Sequence, residues 1–201
     1  MLQLTKSEES FLKKLNTPSK IQEYLDSIPF NFEESGETCM SPRRVIVEAK
    51  AHCIEGALLA ATALWLQGEA PLLLNLKVKK GDDDHVIALY KKNGYYGAIS
   101  KTNHAVLRFR DPVYTSVREL AMSYFHEYFL VRDGTKTMQG YSKPINLKRF
   151  RTSWITEQED LWNIAEYIYD SKHTLVVPKE NKKYIRAATS LERKAAQIAA
   201  F

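Results

Sequence analysis

The chain has 201 residues, 44% of them hydrophobic and 26% charged, with a formal net charge of +5. That is the composition of a globular protein, long enough for one large domain or one domain with decorations. Two cysteines, Cys39 and Cys53, with no CxxC pair, exclude a disulfide framework and a structural zinc site as organising features. The surplus lysines and arginines are scattered. They are densest at 179–183 and 148–151, which reads as solvated surface rather than a nucleic-acid patch. Residues 1–15 are polar and helical in pattern, with no apolar core of a signal peptide. The longest apolar run, 57–66, is broken by Thr62 and too short to span a bilayer. A soluble cytoplasmic protein is expected.

In chain order, Thr5-Lys6-Ser7-Glu8 reads as a capping box opening a helix with Phe11, Leu12 and Leu15 on one face. Thr17-Pro18 starts a second helix that Pro29 ends, with Ile21, Tyr24 and Leu25 inward. Residues 31–39 are polar and read as a loop, and Ser41-Pro42 opens a third helix to about Ala49. Cys53 to Gln67 is the strongest helix: it is apolar nearly all round, hence buried on most faces, and Gly68 is placed to end it.

Strands follow at 72–78, 85–91 and 95–100, the last two joined by Asn93-Gly94, the dipeptide of a tight hairpin turn. A further strand is expected over 104–109, closed by Asp111-Pro112. Ser116-Val117-Arg118-Glu119 reads as a capping box for a helix carrying Leu120, Tyr124, Phe125 and Tyr128. Gly134 and Gly140 bracket a loop or short strand. Thr156-Glu157-Gln158-Glu159 caps a helix with Leu161, Ile164, Ala165 and Ile168 inward, 175–177 is a short strand, and 180–201 is helical and basic. With no internal repeat and no linker, a single α+β domain over 1–201 is expected, its helices on one side of an antiparallel sheet. Its core would span about 41–110, between a helical extension (1–40) and a helical C-terminal part (116–201).

Two residues carry chemistry in this pattern. Cys53 stands at the start of the buried helix, where the positive helix end favours a thiolate and backbone N–H groups can hold an oxyanion. His85 stands at the start of a strand, able to take and return a proton. A two-residue turn pairs Lys92 with Tyr95, which sets His85 opposite Thr102. Ser100 and Thr102 then share the face of His85, and Asn103 points away unless a bulge intervenes. Ser100 can orient the imidazole by a hydrogen bond without stabilising its charge; Asn103 can orient it as an amide. Against this, cysteine is among the most buried residue types, and a cysteine in an apolar helix is commonly packing. His52 is a rival base, but neighbours on a helix do not face each other. Asp82 and Asp84 beside His85 form either a solvated turn or part of a cation site. His104 and His126 read as structural or surface groups, and Cys39 as an inert loop thiol.

The stretches Ala51-His52-Cys53-Ile54-Glu55-Gly56-Ala57 and Asp84-His85-Val86, with the tyrosine-bearing hairpin, resemble the transglutaminase-like superfamily of papain-type fold. In that superfamily a cysteine opens a helix, a histidine about thirty residues later opens a strand, and an aspartate follows about fifteen residues on. This match covers roughly 41–103. Most of the chain further resembles a bacterial branch of the superfamily, through Asn16-Thr17-Pro18-Ser19-Lys20-Ile21, Gly97-Ala98-Ile99-Ser100-Lys101-Thr102-Asn103 and the run from Leu107 to Tyr114. The departure is at the aspartate position, which holds Ser100. Asn103, or Asp84 or Asp111 from a loop, stands as an alternative.

The resemblance implies a cysteine hydrolase, peptidase or transglutaminase-like acyltransferase, with Cys53 as nucleophile, His85 as base and then acid, and Ser100 or Asn103 orienting His85. Its substrate would be a peptide, protein or amide, with no metal or organic cofactor and no membrane or nucleic-acid partner. The competing expectation is a non-catalytic module of the same fold that binds protein or nucleic acid through its basic tail, 179–194.

Overall fold

A computed structural model describes residues 2–198. Four helices come first: α1 (Lys6–Lys14), α2 (Pro18–Ser27), α3 (Pro42–Glu48) and α4 (Cys53–Leu66). The first three begin as their sequences dictate. Thr5, Thr17 and Ser41 each accept a hydrogen bond from the third backbone N–H of their helix, and proline occupies the first position of α2 and α3. Helix α4 is buried from Ile54 to Leu64. Burying each of its large aliphatic side chains contributes roughly 1.5–3 kcal/mol, so it is the hub on which α1, α2 and α3 pack.

The strands are β1 (Leu72–Val78), β2 (His85–Lys92), β3 (Tyr95–Ile99), β4 (Arg110–Tyr114), β5 (Met138–Ser142), β6 (Ile145–Asn146) and β7 (His173–Leu175). They form one antiparallel sheet in the order β4-β3-β2-β1-β5-β7, with β6 also pairing β1. Lys92 pairs with Tyr95 and the register runs back through Ala88 opposite Ile99, as a two-residue Asn93-Gly94 turn requires.

Both faces of the sheet are covered, rather than one. Leu73, Val86, Ala88, Tyr90 and Ile99 join the α4 core, while Leu74, Leu76, Ile87, Leu89 and Ala98 face a second core. That second layer is α5 (Val117–Ser123) and the segment after it, including Tyr124, Phe125 and Tyr128. The reason is in the strands: β1 is buried from Leu73 to Leu76 and β2 over its first six residues, so both faces of each must be covered.

Other expectations are corrected. Residues 104–109 form an irregular connection with Leu107 at φ 61°, and the strand is β4, which contains Pro112. Proline is tolerated because β4 is an edge strand. Helix α5 ends at Ser123, so Tyr124, Phe125 and Tyr128 are buried beyond it. Thr156 caps no helix: α6 (Trp162–Tyr169) starts after Leu161. The intervening turn is tied instead to α3, through Ser41 Oγ on the Glu157 carbonyl and Arg44 on Asp160. Of 175–177 only Leu175 is in a strand. The tail forms a 3-10 helix (Lys179–Tyr184) and α7 (Ser190–Ala196), and the expected helical end at 199–201 lies outside the described residues. Among the described residues no helix is long and apolar enough to cross a membrane.

Candidate active site

Cys53 is the first residue of α4 and is partly exposed. Its backbone N–H, in the first turn, has no acceptor within the helix and is free for a developing oxyanion. His85, the first residue of β2, is nearly buried. The two line one cleft with Phe30, Thr102, His104 and Tyr128. Burial alone would raise the Cys53 thiol. Hydrogen bonding to His52 and His85, and the positive charge of both, outweigh it and bring the thiol down to about 6.

His85 is oriented through Nε2, which lies 2.7 Å from Ser100 Oγ. Ser100 Oγ in turn donates to the Leu107 carbonyl at 2.5 Å. The hydroxyl proton is thereby committed, so Ser100 accepts from His85 and the proton of neutral His85 sits on Nε2. Nδ1 keeps its lone pair for another partner. Ser100 is itself fixed, its N–H donating to the Gln22 side chain and its carbonyl accepting from it. The irregular 104–109 connection is what brings the Leu107 carbonyl to this hydroxyl.

The other candidates fall elsewhere. Asn103 lines the cleft but makes no hydrogen bond to His85. Asp84 turns to Asn75, to the Val78 N–H and to Lys77. Asp111 borders a separate depression beside Tyr90 and Pro112. Cys39 is buried, and burial, with the charges of Glu55 and Asp160, pushes its thiol far up. Lys101 is buried too, its ammonium capping the end of α2 on the Leu25 and Ile28 carbonyls. Among the described residues no group of three or more His, Cys, Asp or Glu is arranged to hold a metal ion.

His52 departs most from expectation. It is not a helix neighbour of Cys53 but the N-cap of α4, in extended backbone. That conformation turns its imidazole back across the helix end, with Nδ1 4.0 Å from Cys53 Sγ. Its Nε2 faces the Thr38 carbonyl at 3.0 Å, Glu55 Oε1 at 3.3 Å and Glu33 Oε1 at 3.5 Å. Glu55 is completely buried and accepts from the His52 N–H, the Met40 N–H, Thr38 Oγ1 and Asn31 Nδ2. Burial opposes its charge, but His52 and these donors prevail and hold its carboxyl down to about 2. Burial likewise opposes a charged His52, and contact with Cys53 and Glu55 reverses the effect and raises it well above its ordinary value.

A second cleft flanks Cys53 on this side, lined by His52, Thr38, Trp162 and Tyr169. Asp82, Asp83 and Asp84 border both clefts, joined by Glu33 and Glu37 on one side and Glu127 on the other. The phenol oxygen of Tyr128 is buried with no hydrogen-bond partner. Comparison of the sequence with models of known protein families and with curated proteins finds no match.

Proposed function

We propose that this protein is a transglutaminase-like, cysteine-dependent acyl-transfer enzyme that hydrolyses an amide or peptide bond. The observation that carries this reading is the partly exposed Cys53 at the N-terminus of α4, its thiol depressed, sharing a cleft with a His85 whose Nε2–H is tied to Ser100. In the reaction His85 takes the Cys53 thiol proton at Nδ1, and Cys53 Sγ attacks the carbonyl carbon. The oxyanion meets the first backbone N–H groups of α4. Collapse of the tetrahedral species breaks the C–N bond, and protonated His85 gives its proton to the departing amine. His85, now neutral, takes a proton from water as that water attacks the thioester, releasing the acid and regenerating Cys53. Ser100 is the positioning residue: it holds the ring so that Nδ1 is the working nitrogen. The carboxylates around the clefts favour an acyl donor that carries positive charge near the scissile bond.

The test is alkylation with iodoacetamide at pH 6. The reading expects one equivalent to enter, at Cys53, well over tenfold faster than a small-molecule thiol of ordinary pKa, with buried Cys39 unlabelled. Labelling of Cys53 no faster than that thiol overturns the reading.

A further inference from the structure

Cys53 has two imidazoles in reach, and their surroundings differ in kind. Behind His85 stands a neutral hydroxyl whose own proton is already spent on Leu107. A neutral acceptor orients an imidazolium but does not stabilise its charge. Behind His52 stand a carbonyl, the fully buried carboxylate of Glu55 and the half-buried carboxylate of Glu33. Burial makes the Glu55 charge costly, and the His52 N–H, Met40 N–H, Thr38 and Asn31 donors keep it ionised, so this carboxylate favours a cation beside it. Resting on the reading of Cys53 as nucleophile, we infer that His52, positioned by Glu55, is the imidazolium that holds Cys53 as a thiolate, leaving His85 to move protons.

This assignment resolves the absence of a carboxylate behind His85. The negative charge sits one position further from the substrate, in the order Cys53, His52, Glu55, and all three lie within one turn of the N-terminus of α4. The helix end and the His52 cation then act together on the sulfur. A histidine locked in the charged form is a poor base, which is why the second histidine is needed. His85, oriented by the neutral hydroxyl of Ser100, is the group that carries protons to and from the substrate during the cycle.

The groups facing His52 come from every side: Cys53 and Glu55 on α4, Glu33 and Glu37 from the 31–39 loop, Asp82 to Asp84 from the β1–β2 loop, and Tyr169 on α6. Asp84 is neutralised by Lys77 and Glu37 is solvent-exposed, which leaves Glu55 and Glu33 as the carboxylates in contact.

The experiment is the pH dependence of Cys53 alkylation in the full-length protein, for the wild type and for His52→Asn, His85→Asn and Glu55→Gln. The wild type is expected to titrate near pH 6. His52→Asn is expected to move the midpoint up by at least one unit, a tenfold or greater loss of rate at pH 6, with the rate at pH 9 preserved. His85→Asn is expected to move the midpoint less while abolishing turnover of an activated ester. Glu55→Gln is expected to shift the midpoint as His52→Asn does, and to add nothing in the His52→Asn background. Glu55 is buried, so where Glu55→Gln fails to fold the partly exposed His52→Asn decides alone. A His52→Asn profile superimposing on the wild type, or a larger shift in His85→Asn, overturns this inference and leaves Cys53 as nucleophile. A wild type titrating as an ordinary thiol removes both.

Discussion

Ser100 stands fifteen residues after His85, and its hydroxyl is committed on both sides. Replacing it with alanine strands the His85 Nε2–H and the Leu107 carbonyl in a buried site. Each unpaired group costs about 1–3 kcal/mol. Ser100→Ala is therefore expected to lower the unfolding free energy in urea by a few kcal/mol. Because positioned acid–base catalysis is worth about 10²–10⁴-fold, turnover should also fall at least tenfold, with little change in KM. A variant that keeps wild-type turnover would show that Ser100 does not position His85. The sequence pointed to Ser100 because hairpin register is arithmetic once the Asn93-Gly94 turn is known. His52 is not legible as a partner of Cys53 by the rule for adjacent residues inside a helix, because it lies outside the helix as its N-cap. The available signal was the spacing: His52 and Glu55 stand at the offset of a capping box, and Glu55 does reach back to the His52 N–H.

Two expectations belong to α4 as an element. Gly56 sits in its second turn, where alanine would ordinarily stabilise a helix by about 1 kcal/mol. Here a Cβ at Gly56 would lie 2.5 Å from the Lys101 Cβ and 3.5 Å from Leu25 Cδ2, so helix, loop and α2 meet too closely for it. Overpacking of this kind costs about 1–3 kcal/mol. Gly56→Ala is thus expected to be destabilising on thermal or urea unfolding, and a stabilised variant would contradict the packing described. The second expectation concerns acid. Glu55 has its carboxyl depressed from 4.5 to about 2, so its contribution is fully present above about pH 4.5 and is lost as pH falls through 2. That shift corresponds to roughly 3 kcal/mol. Urea unfolding at pH 6, 4 and 2.5 should show the loss in the wild type and a flatter acid limb in Glu55→Gln. Helix starts were legible at Thr5, Thr17 and Ser41, where a cap or proline stands at the boundary, but not at Thr189, whose capping box opens α7 inside a stretch expected to be helical from 180. Local signals misled where long-range contacts overrode them, at the Thr156 turn tied to α3 and at Pro112 in the edge strand β4, because sequence neighbours reveal neither contact.

On the scale of the whole molecule, a chain of net charge +5 presents two clefts at Cys53, one bordered by Glu33 and Glu37, the other by Glu127, and both by Asp82, Asp83 and Asp84. Local charge opposes global charge, and under the proposed function this would focus cationic substrates toward Cys53. Among matched peptide substrates, those with lysine or arginine beside the scissile amide should react fastest, and the advantage should shrink as salt rises from low to physiological ionic strength. Equal rates for acidic and basic peptides would show that the rim plays no part. The central claim, that Cys53 carries an acyl group during turnover, is tested most directly by rapid-quench mass spectrometry of the intact protein with an activated acyl ester. The account predicts a single acyl adduct on Cys53, formed before steady-state release of acid, longer-lived in His85→Asn and absent in Cys53→Ala. Product formation at an undiminished rate in Cys53→Ala, or no adduct on Cys53 under any condition of turnover, would contradict it.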